Sequence, residues 1–454
     1  MRLIEPLDGV GSALRTVPGP ESRRIVAEER AYIAPGLQRI AQLSELALVE
    51  GRGCRLRDAD GNDYLDFFAG VAVASLGHSH PRFVQALTEQ LGRLAVGSFT
   101  TVARLQLLKL IAELAPGALC RTQLYSGGAE AVEAAIRLAK AHTKKFEVVG
   151  FWGGFHGKTG GVMGLIGDPW KQQWGPLAVG THLVPYADCY RCPFKLEYPS
   201  CGMHCLDFAR ASIKSTTAGS IAAILVEPMQ GTAGNIVPPP EFLPGVAAIA
   251  RDNEALLIAD EMITGFGRTG SMFGCDHSGV VPDVMTIGKG LGSGFPVSGL
   301  ISTDAITTAL PFAKPSSSSS SYGGNPLAAT AALTTIETII DDDLVANAER
   351  VGAFLLRELR SLQEKYAFIG DVRGSGLMLG IELVRDRVSK EPLSSEAMEY
   401  FFLEALRRGL LTMGYVSRIR INPPLILSET EARDGIVILD ETFAALERSG
   451  LVGG

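Results

Sequence analysis

The chain has 454 residues, more than one ordinary domain holds; 46% are hydrophobic and 20% charged, the profile of a folded globular protein. Its 42 basic and 49 acidic side chains leave a net charge of −7, which argues against a nucleic-acid binder that works by neutralising phosphates. Apolar runs such as 221–226 and 255–259 fall far short of a membrane span. Glu5, Asp8, Glu21, Glu28 and Glu29 leave no apolar leader core in the first 30 residues. The expected protein is cytoplasmic and touches neither membrane nor nucleic acid.

Residues 55–68 place Asp60-Gly61 between two alternating apolar runs, which predicts a β-hairpin. Beyond it, short β-rich runs at 123–126, 148–151, 222–227, 256–260, 284–287 and 297–301 predict strands. Helix-period stretches such as 129–143 and 241–253 lie between several of them. Alternation of this kind predicts an α/β domain with a mainly parallel sheet. In such sheets ligands bind beyond the carboxyl ends of the strands. A run of six serines at 316–321 reads as a flexible linker or loop. The remainder predicts helices at 344–365, 394–408 and 429–447, a sheet-like region at 370–383 and a strand at 417–427. This tail and the N-terminal hairpin read together as a second, α+β domain.

Several post-strand loops carry chemistry. The run LLIADEMITGFGRTG (256–270) ends an apolar strand in Asp260 and continues into a glycine-rich loop. That Asp either faces a ligand or caps the next turn. In TIGKGLGSG (286–294), Lys289 follows a strand and is flanked by Gly288 and Gly290, with no polar helix face to occupy. Close backbone approach to a ligand explains the glycines, and an enclosed lysine can lose its proton and attack a carbonyl. YSGGAEAVEAAIRLAK (125–140) is a strand, a Ser-Gly-Gly turn and a helix start, a candidate anion cup. FWGGFHGKT (151–159) adds aromatic and imidazole groups. An anion cup, a stacking aromatic, an Asp and a reactive Lys are the set that a phosphorylated aromatic aldehyde requires.

With these motifs the sequence resembles the class III, or ω-, aminotransferases, pyridoxal-phosphate enzymes of fold type I. The resemblance also rests on DFFAGVAVASLGHSHP (66–81), EPMQG (227–231), GKGLGSGFP (288–296), SYGGNP (321–326), VRGSGLMLGIEL (372–383) and RINPPL (420–425). It implies a large domain with a mainly parallel, seven-stranded-type sheet and a smaller α+β domain drawn from both chain ends. The divisions are 1–79 for the N-terminal segment and part of the small domain, 80–335 for the cofactor domain, and 336–454 for the C-terminal small domain.

The resemblance implies that Lys289 forms the internal aldimine and shuttles a proton between substrate and cofactor, and that Asp260 pairs with the pyridinium nitrogen. Phe155 and Met262 would flank the ring, with His156 and Glu227 beside it, and Gly127, Gly128 and Ala129 would cradle the phosphate. Ser321 would reach the phosphate of a neighbouring subunit, which implies a homodimer, or a dimer of dimers, with shared active sites. Arg420 would bind a substrate carboxylate, with Arg418 either structural or a competitor for that role. Thr232 stands where 4-aminobutyrate-type members carry a glutamate that neutralises this arginine. Ile263 and Val71 leave the pocket wall apolar. The implied reaction moves an amino group from a primary amine or amino acid to an oxo acid, aldehyde or ketone by a ping-pong mechanism. Racemases or epimerases, decarboxylases and phospho-lyases of the same fold use the same Lys and Asp and remain alternatives.

Four of the seven cysteines fall together, as Cys189-x-x-Cys192 and Cys201-x-x-x-Cys205. They read either as free thiols or as ligands for a structural zinc or an iron–sulfur cluster. In the second case the chain is also open to a different reading, as a metal- or cluster-holding regulatory protein on a degenerate aminotransferase fold.

Overall fold

The structure, a computed structural model, describes residues 14–453. The opening of the 1–79 segment, Glu5 and Asp8 included, lies outside the described residues. The Asp60-Gly61 signal forms its turn: Gly61 takes φ 84°, a left-handed value that glycine adopts without a steric penalty. Asp58 accepts hydrogen bonds from the amides of Asp60 and Asn62 and from the Tyr64 hydroxyl. Strands β2 (Arg55–Asp58) and β3 (Asp63–Asp66) therefore pair antiparallel, flanked by β1 (Leu48–Arg52). From the far end of the chain β13 (Leu410–Leu411) joins β3 in parallel, with Leu410 opposite Leu65.

The central sheet has seven strands in the order β4-β10-β9-β8-β7-β5-β6. These are β4 (Arg121–Tyr125), β5 (Glu147–Phe151), β6 (Thr181–Val184), β7 (Ile221–Val226), β8 (Leu256–Asp260), β9 (Val284–Ile287) and β10 (Ser298–Ser302). Only β10 runs against the others; it is antiparallel to both β4 and β9. Every residue of the continuous apolar run β7 is buried, as befits a parallel strand covered on both faces. Helix α1 (Gly128–Thr143) lays an alanine-rich face, including Ala131, Ala134, Ala135 and Ala139, against this sheet. Small side chains there let helix and sheet approach closely. The edge strand β6 was not foreseen: four residues flanked by glycines and prolines carry too short a pattern.

A third sheet, β11 (Ile369–Ser375), β12 (Met378–Leu383) and β14 (Arg418–Ile421), is wholly antiparallel. The strand expected over 417–427 stops at Ile421, because Pro423 and Pro424 have no amide to give a ladder. The six-serine run is a loop, as expected, but an anchored one. Ser318 is buried, its carbonyl accepts from the Tyr125 hydroxyl, and its own hydroxyl donates to the Phe312 carbonyl.

Candidate active site

Because six strands share one direction, β4, β5, β7, β8 and β9 end on the same edge of the sheet. The next residues of the chain are Ser126, Trp152, Glu227, Glu261 and Gly288. That edge therefore collects groups more than 160 residues apart in sequence, from Ser126 to Lys289. A cavity of about 340 Å³ opens there, lined among others by Gly128, Phe155, His156, Asp260, Met262 and Lys289.

Asp260 terminates β8 and is almost fully buried. One of its oxygens lies 2.6 Å from His156 Nδ1. The other accepts from the Thr286 hydroxyl at 3.0 Å and the Met262 amide at 3.2 Å. Burial opposes a charged His156, but the Asp260 carboxylate outweighs it and holds the imidazole above its usual range. Glu227 accepts from the amides of Phe155 and Gly231, each at 2.9 Å, and so pins the Phe155 loop to the end of β7. Burial raises the Glu227 carboxyl above its ordinary value.

Lys289 follows β9 at φ 45°, an uncommon value for a residue with a side chain and a mark of locally stored strain. Gly288 leaves room beside it for Met262, since a Cβ there would stand 2.6 Å from Met262 Sδ and push that side chain aside. Burial lowers the Lys289 ammonium below its ordinary range; Asp260 and Glu227 oppose this and Arg420 adds to it. At the start of α1, the Glu130 carboxylate takes the Ser126 and Gly127 amides, at 3.1 and 2.6 Å. The amides of Gly128 and Ala129 have no intrahelical acceptor by position, so the helix start still offers donors to an anion.

The turn before the cavity, Ala69–Ala72, is left-handed throughout, with φ between 46° and 68°. The amides of Phe68 and Ala69 are held by Asp66 Oδ1, each at 2.8 Å. This turn brings Val73, rather than Val71, to the cavity lining. Val71 packs instead in an apolar cluster with Tyr64 and Tyr415. Ile263 is buried against Met229, Ala72 and Met378, and Thr232 is exposed. Ser321 is also exposed and does not line the cavity.

Arg418 and Arg420 sit two apart on β14, on one face, yet differ in company. Arg418 bonds Glu382 at 3.3 Å, Asp188 at 3.1 Å and the Ala233 carbonyl at 2.7 Å. Glu382, almost fully buried, is also met by Arg191 and, at 3.1 Å, by Arg373. Arg420 makes no ion pair among the described residues; burial lowers its guanidinium, with Tyr415 and Glu227 near enough to oppose that. Sequence reasoning missed Thr286, Val73 and the Glu382 hub. Thr286 and Glu382 depend on pairing between strands, with Asp260 opposite Thr286 and Glu382 opposite Arg418, and Val73 depends on the left-handed turn before it.

The cysteine-rich segment is elsewhere, between β6 and helix α2 (His204–Thr216). Its four thiols are free and line one small cavity of about 20 Å³. Among the described residues, no group of three or more His, Cys, Asp or Glu side chains is already disposed to hold a metal ion. Nor is any helix among them long and apolar enough to cross a membrane.

The model of the family "Aminotransferase class-III" matches residues 38–443. The chain is 34% identical to the "Leucine/methionine racemase" of Thermococcus litoralis, over 94% of this chain and 97% of that protein. It is 33% identical to the "Acetylornithine aminotransferase" of Methanothermobacter thermautotrophicus, over 94% of this chain and all of that one. Among solved structures it is similar to an amine transaminase from an uncultivated Pseudomonas species in its pyridoxal-phosphate-bound form. There the identity is 30% and the TM-score 0.86, covering 91% of this chain and 98% of the other.

Proposed function

The chain belongs to the class-III aminotransferases and is a pyridoxal-phosphate-dependent enzyme of fold type I, and we propose that its substrates carry a carboxylate: an amino acid as donor and an oxo acid as acceptor. The observation that carries this is Arg420, a half-buried cation that makes no ion pair among the described residues and whose charge reaches Lys289. A guanidinium so placed suits the bidentate binding of a carboxylate. Thr232 supplies no charge to neutralise it, which disfavours a strict 4-aminobutyrate enzyme.

The residues on the sheet edge fit the cofactor. The amides of Gly128 and Ala129, with Gly127 before them, would receive the phosphate, and Asp260, oriented by His156 and Thr286, would pair with the ring nitrogen. Phe155 and Met262 would flank the ring, and Glu227 holds the Phe155 loop in place. When bound, pyridoxal phosphate supplies an electron sink for the bond made or broken at substrate Cα. Lys289 holds the cofactor through its Nζ and moves the proton at substrate Cα, a task its lowered ammonium pKa suits. Val73, Met262 and Val297 make the cavity walls apolar, which favours a donor with an apolar side chain.

In this reading residues 80–335 form the cofactor domain, and 1–79 combine with 336–454 in the smaller one, a grouping that the β3–β13 pairing supports. Ser321, exposed on an anchored loop, would complete the site of a second copy in a cytoplasmic homodimer. The test compares amino acids with the amines that lack only their carboxylate, as donors to the wild type and to Arg420→Gln. The wild type should prefer the amino acids strongly and the variant should not; an equal preference in both removes Arg420 from substrate binding.

A second reading is favoured by one observation, the similarity to a protein named a leucine/methionine racemase. In it the same Lys289 and Asp260 would return the proton to Cα, and an amino acid would lose optical purity with no oxo acid consumed.

A further inference from the structure

Between the end of β6 at Val184 and the start of α2 at His204 the chain has no helix or strand. Structureless segments of this length are uncommon within a compact domain and need some other means of holding their shape. The first half of this one is tied to the third sheet. Asp188 bonds Arg418, Arg191 bonds Glu382, and the Tyr190 carbonyl accepts from Lys390 Nζ at 2.9 Å. Its second half leads into the first turn of α2, where Cys205 sits. Little joins the two halves besides the cavity of about 20 Å³, onto which Cys189 and Cys192 converge from one side and Cys201 and Cys205 from the other. Phe194 covers it, packed edge-on to His204 at 4.8 Å and against Phe208 at 5.1 Å.

We propose that Cys189, Cys192, Cys201 and Cys205 bind one zinc ion as a structural tetrathiolate site that locks this segment onto the sheet carrying Arg420. Two independent features support it. The pairs are spaced Cys-x-x-Cys and Cys-x-x-x-Cys, within the spacing of four-cysteine zinc sites. The space they enclose is near that of one water-sized sphere, which suits an ion and is too small for an iron–sulfur cluster. The thiols do not yet meet at one point, so binding closes them inward by side-chain rotation. Four S–H protons leave to solvent as four Zn–S bonds form, with no change of oxidation state. The site lies apart from the sheet edge and does not depend on the reaction assigned to it.

The test uses the full-length, cofactor-loaded protein. Metal analysis should find one zinc per chain, released when a mercurial reagent titrates the thiols, with release tracking the four equivalents that react after the exposed Cys120. Cobalt exchanged into the site should show thiolate-to-metal absorption. The double variant Cys189→Ser/Cys192→Ser should lose the zinc while keeping the cofactor, whereas Cys120→Ser, at an exposed cysteine away from the site, keeps both. Seven titratable thiols with no bound metal would overturn the proposal, as would disulfides within the set or iron in place of zinc. Because the zinc count is made on the wild type, a variant that fails to fold leaves the test intact.

Discussion

The edge of the seven-stranded sheet and the face of the three-stranded sheet both gather charged groups, but by different means. At the edge, strand direction decides: five strands end together, and the cavity opens among the residues at and just beyond those ends. Asp260 and Lys289 are there because β8 and β9 stop where they do. On the three-stranded sheet, position along the strand does not decide. Arg418 and Arg420 share a face of β14, and only their neighbours separate them: Glu382 and Asp188 engage the first and leave the second without an ion pair. A functional arginine is thus defined as much by the acids it lacks as by the ligand it would meet.

The largest effect expected is at the edge. Lys289→Ala should lower kcat by about 10³-fold or more, since it removes both the covalent anchor and a proton carrier of the kind worth 10²–10⁴. Turnover of mixed amino and oxo acids checks it, and near-normal activity would remove Lys289 from the chemistry.

Next comes the hub that holds the second region together. Glu382→Gln leaves Arg191, Arg373 and Arg418 facing a neutral group in a buried site. Breaking a buried pair in this way costs about 3 kcal/mol, although Asp371 and Asp188 retain part of the balance. Denaturant unfolding measures it; an unchanged midpoint would mean the hub is not a brace.

Strand ends followed by glycine-rich loops were legible in the sequence because both are local. The β7, β8 and β9 runs, Gly288-Lys289 and the Ser-Gly-Gly helix start each occupy a few consecutive residues. What stayed hidden lies across the ladders. Thr286 touches Asp260 only through the register of β9 on β8, and Arg418 is identified as structural only once β12 brings Glu382 opposite it. Val73 displaces Val71 at the cavity because four consecutive left-handed residues turn the chain, a conformation that no side-chain pattern there announces.

The two arginines sharpen the comparison. Arg420→Gln should lower kcat/KM for carboxylate donors by about 10- to 100-fold, the worth of a charged hydrogen-bonded contact of roughly 1.5–3 kcal/mol. Arg418→Gln should leave kcat/KM within about threefold and instead cost stability. A reversed pattern in steady-state kinetics would exchange their roles.

The smallest effect is in pH. Lys289 in the cofactor-free protein titrates below its ordinary 10.5 because of burial, with the Arg420 charge contributing. Cofactor capture, followed by visible absorbance, should therefore rise with pH and level off below that value. Its midpoint should move up in Arg420→Gln and stay put in Arg418→Gln. The unfolded chain holds the lysine proton longer, so the stability of the cofactor-free protein should rise with pH between the lowered value and 10.5. A capture profile still climbing above 10.5 would contradict the lowered pKa.

The most direct measurement follows an isotopically labelled amino nitrogen. An apolar α-amino acid carrying the label is incubated with the cofactor-loaded enzyme and an unlabelled 2-oxo acid, and the products are resolved by mass and by optical purity. Amino transfer predicts that the label appears in the amino acid formed from the oxo acid, in step with loss of the donor. Loss of optical purity in the donor, with the label retained and the oxo acid untouched, would contradict it.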